Sequence, residues 1–558
     1  MGKGIVKLGE GNWAVKDGNL LAAKETNGRF KNAEFTVTRG TDATYVGKDG
    51  FIKTTPSFYN LLLRSENFSP YTIASSIATP NSTTAPDGTN AGTLVTAGTN
   101  AIALRFSQVV ETGKTYTFSC YVKSSGSDMT TVYLDIADEA PQAAFTLTND
   151  WQRVSTTATV TKTPQSTYHF VDVSTNGSQG DTFYIWGAQV VEGTEALDYQ
   201  YTNGKEGMPR IDFTDNTDGH LLLEPQSKNL VTYSEDFSQW SNVYAILNAN
   251  QPSPDGFNNA FIVEDENATA YRKIDETITT NATPHTFSVF IKKKTSAVSS
   301  YSGIQMGVGF SYVVFDSFNG TYHEQSNTNY DNVEVQDFNS NWWRLKLTAT
   351  VTTSTRVALW GAISTSATNI NNGATGSETF YGAQLEELSY ATSIIPTNGS
   401  QVTRDAETCT GAGEAQDFNS EEGVLYAEIA ALANDGIVRY LSLTDGTSNN
   451  MVLVLYYSTA NNIRTIVTSG GTNYMDKNYG VTSVLDFHKV AIRWKANDFS
   501  LWVNGSERKT DTSGSVPIGL NSLSFDSGTG SNNFYGKCKA IKVYKEALSD
   551  TDLQNLTS

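Results

Sequence analysis

Charged side chains are scarce in this 558-residue chain, at 17% of positions, and basic ones are scarcer still. Thirty-nine Lys and Arg stand against 58 Asp and Glu, a formal charge of -19, with no basic block anywhere. Counterion release from a polyanion has nothing to draw on, so neither nucleic acid nor an anionic membrane is an expected partner. The three cysteines, Cys120, Cys409 and Cys538, lie far apart and cannot all pair, which excludes a disulfide framework and a zinc site. Thirteen prolines are too few for a Pro-rich linker protein, and the five histidines are scattered singly. No run approaches the roughly 18 apolar residues of a membrane span. The opening MGKGIVKLGEGNWAVKDGNLL lacks the apolar core of a signal peptide. The expectation is a chain that folds in a reducing cytoplasm, with no membrane insertion.

What is present is aromatic anchor, glycine and repetition. With 27 Tyr, 26 Phe, 9 Trp and 45 Gly, the composition is that of an ordered, strand-rich protein rather than a disordered or coiled-coil one. At about 100–200 residues per domain, the length predicts three or four units. Five blocks recur in one order. NLLLRSENFS from Asn60 answers NLVTYSEDFS from Asn229, and APDGTN from Ala85 answers SPDGFN from Ser253. TFSCYVK from Thr117 answers TFSVFIK from Thr286, and WQRVSTTATV from Trp151 answers WWRLKLTATV from Trp342. FYIWGAQVVE from Phe183 answers FYGAQLEE from Phe380. The reading is a duplicated module, at about 58–203 and 228–400.

Within the blocks apolar residues alternate, as Phe118, Cys120 and Val122 do against Thr117, Ser119 and Tyr121, the period of a half-buried strand. The PDG tripeptides are turn chemistry, because Pro presets φ and Asp-Gly tolerates a tight reversal. Many short strands with almost no helical periodicity predict an all-β protein of tandem antiparallel sandwiches. Two segments starting Val-Thr-Arg, at Val37 and Val402, each precede a new module and read as structured connectors. From about 418 a different strand set begins and predicts a third sandwich.

That last set, HKVAIRWKANDFSLWVNG followed by FYGKCKAIKVYKEALSDTDL, resembles the laminin-G or concanavalin-like lectin fold. The duplicated modules resemble the jelly-roll carbohydrate-binding modules of bacteriophage virion proteins, through NLVTYSEDFSQW, FYGAQLEE and SYATSIIPTNGSQVTR. The resemblance implies a virion structural protein, in a tail fibre or head appendage, that presents glycan-binding modules to host-surface polysaccharide. Its implied partners are other virion proteins and that polysaccharide, with several copies per particle. The implied division is 1–50 as an N-terminal segment, 51–205 and 206–404 as two jelly rolls, and 405–558 as the lectin-like sandwich. Residues 1–50 match neither module and are expected either to anchor the chain to the particle by strand addition or to cap the first sandwich.

Sugar recognition calls for exposed aromatic faces with amides and carboxylates around them. Trp342 and Trp343 are adjacent on a strand and must point to opposite faces. Since Trp151 aligns with Trp342 and Gln152 with Trp343, Trp342 is assigned to structure and Trp343 to the exposed face. Trp240 has no aromatic counterpart in the first module and is the second candidate. Core or inter-module packing is the competing expectation for both, as hairpin packing is for Trp494 and Trp502. Loop residues Asp445, Asn449, Asn450 and Asn473 are the sugar candidates of the last unit. By resemblance they also suit a structural Ca²⁺, the one cofactor left open. Glu66 and Glu235 are expected to cap turns by accepting backbone N–H bonds. The acidic stretches LDIADEA and Glu264–Glu266 lack the Glu-x-Asp-x-x-Glu pattern of lectin-fold glucanases. HExxH, the P-loop and GxSxG are absent as well, so the chain is expected not to be an enzyme. An architectural decoration protein and a depolymerase are the alternatives.

Overall fold

A computed structural model describes the chain except residues 1–5, 10–13, 17–18, 27–28, 56–59, 63, 74, 107–109, 111, 138, 140–141, 163–170, 197–198, 200–208, 215–216, 271, 308–311, 326–329 and 369–373. For the strands before Phe35 only the backbone is described. The protein is all-β and antiparallel throughout its paired strands, and the one α-helix among the described residues is Asp550–Thr557. Two compact units result, one of Pro56–Met208, the other of Asn19–Thr55 and Pro209–Ser558 joined by the strand Val6–Gly9.

The smaller unit is a sandwich of a five-stranded and a four-stranded sheet. In the first, Thr115–Ser124 lies between Gln152–Thr159 and Thr182–Glu192, with Gly92–Thr96 and Ile77–Thr83 beyond. In the second, the order is Ala143–Thr146, Thr131–Ile136, Val171–Thr175, Ile102–Phe106. Phe118, Cys120 and Val122 face Val132, Leu134 and Ile136 across one core, as their alternation predicts. Full burial of a side chain such as Phe118 contributes roughly 1.5–3 kcal/mol.

The segment 228–400 repeats this topology inside the larger unit. Pro284–Lys292 sits between Trp342–Thr350 and Gly376–Glu386, followed by Ala260–Asp265 and Ile246–Gln251. The facing sheet runs Tyr312–Asp316, Tyr301–Met306, Ser354–Ser364, Lys273–Thr279. Phe118 and Phe287 occupy equivalent core places, and a β-bulge falls at the same point in both, between Ser119 and Tyr121 and between Ser288 and Phe290. The bulged strand places two residues against Cys120 and against Val289, and the first of each pair is a glycine at positive φ, Gly187 at 61° and Gly382 at 65°. The asparagine that opens each repeat explains itself here. Asn60 donates to Ala188 O and accepts from Val190 N, and Asn229 donates to Ala383 O and accepts from Leu385 N, fastening the chain just beyond the bulge. The two PDG turns match too: Asp87 accepts from Thr89 N and Asp255 from Phe257 N, with Gly88 and Gly256 at positive φ. Among the described residues the second copy adds three strands to the pattern, Ser241–Val243, Thr321–Glu324 and Asn332–Asn339.

The third sandwich pairs a five-stranded sheet, Ser522–Ser524 through Thr472–Gly480, with a larger sheet around Glu422–Ala431 and Gly536–Tyr544. The outer edge of Gly536–Tyr544 is covered by Val6–Gly9 along one half and His220–Leu223 along the other. Asn19–Thr26 and Arg29–Thr38 continue that sheet. The described strands of the N-terminal segment thus belong to the sheet of the third sandwich, because its closing strand offers backbone groups that they pair. The hairpin 210–223, assigned by sequence to the second module, likewise belongs to this sheet.

The connectors meet in a buried ionic hub. Glu407 binds Arg39 at 2.7 Å and also Arg210, whose guanidinium reaches Glu224 at 2.8 Å, while Arg404 reaches the same Glu224 at 3.0 Å. All five side chains are at most 3% exposed, so each charge depends on its partners. Against the cost of burial, Arg404 and Arg210 hold the Glu224 carboxyl down at about 2. Arg210 and Arg39 likewise hold Glu407 below its ordinary value. The repeated Val-Thr-Arg thus supplies two of the three arginines.

Candidate functional site

The residues expected to bind sugar are largely consumed by structure. Trp240 is 4% exposed, edge-on to Phe237 in the core, and its indole N–H donates to Tyr233 O at 2.9 Å. It ends a turn whose Asp236 accepts from Ser238 N, and that turn rotates the ring inward, so Trp240 is corrected to a core residue. Trp342 and Trp343 do face opposite ways, and Trp342 is structural as expected, but Trp343 is not exposed. Trp342 is buried on the outer face of its sheet with Phe290, Phe338 and Ile394. Trp343 is half-buried against the inner core, donates to Ser317 O at 2.9 Å, and carries the Lys293 ammonium 4.0 Å over its ring. Gly320 closes on it so tightly that a Cβ there would come within 2.7 Å of the indole. Trp343 is therefore corrected from an exposed platform to a wedge at the sheet margin.

In the last sandwich Asp445, Asn449 and Asn450 meet the hairpin at Gly470, but as turn scaffolding. Asp445 accepts from Thr447 N and Asn450 Nδ2, and Asn450 Oδ1 accepts from Gly470 N and Ile518 N. Asn449 is exposed and holds Gly471 N through its carbonyl oxygen, and the Asn473 amide oxygen accepts from Thr468. Among the described residues no cluster of three His, Cys, Asp or Glu side chains could hold a metal ion. Glu66 accepts the Tyr199 hydroxyl at 2.9 Å, and Glu235 accepts the Tyr381 hydroxyl at 2.5 Å. Trp494 and Trp502 are buried, as the packing expectation held.

Rows of polar side chains lie on the outer face of the second sheet of each module; Asp135, Asp172, Gln305 and Asp275 in them are buried, and Tyr133, Arg105 and Arg356 are the members that reach solvent. In the first, Asp135, Asp172 and Arg105 form one row across three strands, with Tyr133 and Ser174 in the next. Arg105 grips Asp172 with two nitrogens, at 2.9 and 2.7 Å, and stays 27% exposed, so the row opens to solvent at its guanidinium. In the second module the corresponding row is Tyr312, Gln305, Ala358 and Asp275. Lys273 lies 3.0 Å from Asp275 and 5.4 Å over the Trp360 ring, and Arg356 stands 3.5 Å from Asp275. Guanidinium and aromatic ring on a rigid sheet are among the groups that engage vicinal hydroxyls and a sugar's C–H face. The sequence hid this face because its residues are far apart in the chain, Arg105 and Asp172 by 67 positions, and carry no local motif.

Residues 63–177, most of the first module, match a carbohydrate binding domain family. The chain therefore contains a carbohydrate-binding β-sandwich. Among curated proteins none matches the chain. Similar solved structures include the Ruminococcus gnavus IT-sialidase CBM40 bound to alpha2,3 sialyllactose, 20% identical, covering 27% of this chain and 94% of that one, with a TM-score of 0.23. The CBM22-1-CBM22-2 tandem domain of Paenibacillus barcinonensis Xyn10C is 12% identical over 59% of this chain and 98% of its own, with a TM-score of 0.22. Domains LG4-5 of the mouse laminin alpha1 chain are 10% identical over 63% and 92%, with a TM-score of 0.18.

Proposed function

We propose that this chain is a non-enzymatic structural component of a bacteriophage particle, in a tail fibre or head appendage, whose modules bind host-surface polysaccharide. The observation that carries the glycan-binding part is the carbohydrate-binding domain at 63–177, whose topology recurs strand for strand at 228–400. The virion part is supported by the connector SYATSIIPTNGSQVTR and its resemblance to phage appendage sequences. A shallow sugar site is weak on its own, since a small polar ligand buries little area and must shed its hydration. Tandem modules on a chain present in many copies raise avidity by about 10²- to 10⁴-fold without a stronger site. The charge of -19 limits indiscriminate adhesion to anionic cell walls, leaving retention to the sites.

The test is a glycan array probed with the full chain, as monomer and displayed on beads, beside the Tyr133→Ala variant. Weak monomer binding, strong multivalent binding and its loss in the variant are expected. A chain inert in both forms is an architectural protein, and release of reducing ends from a bound polysaccharide would make it a depolymerase. Mass spectrometry of purified particles tests the virion assignment.

A further inference from the structure

The larger unit holds a cavity of about 270 Å³ between the outer face of the second module's sheet and the third sandwich. Its floor is built by cross-strand pairs, Glu334 beside Lys346 and Gln336 beside Arg344, with Phe290 opposite Arg344 on the neighbouring strand. Phe338 and Ile394 add apolar wall, Tyr390 and Thr392 add hydroxyls, and Lys537 reaches in from the third sandwich. Arg344 is 7% exposed, stacks 5.1 Å from the Phe290 ring, and donates through one terminal nitrogen to Ser288 Oγ and Thr392 O. Its Nε, buried at the cavity, has no hydrogen-bond partner. A buried donor left unmatched is costly, so a side-chain shift that brings Nε to a ligand oxygen would satisfy a group the protein has desolvated already.

We propose that this cavity is a binding site for one uncharged hexose unit of a glycan. The proposal rests on the glycan-binding reading above and locates a second, separate site for it. Size sets the first limit, since pockets for drug-sized ligands run about 300–1,000 Å³ and this one takes a single ring. Charge sets the second. Arg344, Lys346 and Lys537 line the cavity against Asp212, Glu224 and Glu334, three cations to three carboxylates. Phosphate or a sugar acid would gain the cations only by meeting the carboxylates, whereas hydroxyls accept from the first set and donate to the second. Tyr45, Tyr390 and Leu485, all partly exposed or exposed, line the cavity with the apolar surface a pyranose C–H face requires. Burial also lowers the pKa of Lys346 and Arg344, as expected where water is largely excluded. The strand that brings Glu334, Gln336 and Phe338 has no counterpart among the described strands of the first module.

Saturation-transfer NMR and calorimetry on the full chain, with methyl glucoside, galactoside and mannoside, glucuronate and inorganic phosphate as probes, test the assignment. Gln336→Ala removes a polar group from a strand at the sheet edge, and Ala391→Phe fills the cavity while keeping every side-chain hydrogen bond; thermal melts confirm that each folds. The expected result is that one neutral hexoside binds, weakened at least tenfold by both variants and unchanged by Tyr133→Ala. Preference for glucuronate or phosphate, or hexoside binding indifferent to both cavity variants, overturns the proposal. A chain that binds the glycan array but no hexoside overturns the cavity site and leaves the glycan-binding reading standing; failure on the array as well removes that reading itself.

Discussion

The two copies of the module agree inside and differ outside. Core, strand order, bulge glycine, opening asparagine and PDG turn coincide, because each answers a demand of the backbone that only a few residue types meet. The outer face of the bulged sheet has diverged. In the first copy it carries Tyr121, Trp186 and Tyr199 in mutual contact, with ring centroids 5.3 and 4.5 Å apart. In the second the corresponding face gains an edge strand, a charged cavity and, beside it, the ionic hub. Duplication preserved what folds the module and freed the surface for separate uses.

The hub is where the copies can be separated most sharply. Glu407→Ala leaves Arg39 and Arg210 buried without their shared carboxylate, and breaking a buried pair in this way costs about 3–5 kcal/mol. Calorimetry of the full chain should show the transition of the larger unit falling steeply, with that of Pro56–Met208 unmoved. Acid should reach the same element. The Glu224 carboxyl sits at about 2 in the fold against an ordinary 4.5, so its contribution is complete above pH 4.5 and disappears as pH falls toward 2, about 3 kcal/mol in all. Urea unfolding at stepped pH should show that slope in the parent and a flatter one in Glu224→Gln.

The bulge glycines offer a finer comparison at equivalent sites. Both residues have positive φ, so alanine at either costs roughly 1–2 kcal/mol in backbone strain. At Gly382 the new Cβ would also lie 2.4 Å from Ile394 Cδ1, whereas at Gly187 the nearest atom is 3.2 Å away on Tyr199. Gly382→Ala should therefore destabilise by about 3 kcal/mol and Gly187→Ala by about half of that, each read from its own unit's urea midpoint. Equal effects would mean that the second copy's outer wall yields freely.

Legibility in the sequence followed repetition. The duplication could be read because asparagine, PDG and the bulge glycine recur in the same order in both copies, a signal that does not depend on how far each residue reaches. The hub could not, since Arg39 and Glu407 are 368 positions apart, although the Val-Thr-Arg repeat marked two of its arginines. Docking of Val6–Gly9 on Gly536–Tyr544 is a backbone pairing that leaves no side-chain signature. The sugar candidates failed for a related reason: exposure was inferred from the absence of an aligned aromatic, and alternation says which faces differ, not which of them is covered. Trp342 lies under the hairpin of Ala43–Val46 and Ile52–Thr55, two modules away in the chain, and nothing near Trp342 announces that cover.

Trp343 supplies the mildest of these tests, because its counterpart in the first copy is Gln152, which pairs with Val122 as Trp343 pairs with Ile291. The indole N–H bond to Ser317 O and the ring contacts with Lys293 and Gly320 are all internal, so they bear on stability rather than on a ligand. Trp343→Phe keeps an aromatic ring beneath Lys293 and removes the one hydrogen bond, a change of about 1 kcal/mol. Glycan-array intensity of the full chain should be unaltered while the urea midpoint of the larger unit falls slightly. If binding falls with stability intact, Trp343 touches the glycan after all, and the second copy has converted to recognition a position that the first fills with glutamine.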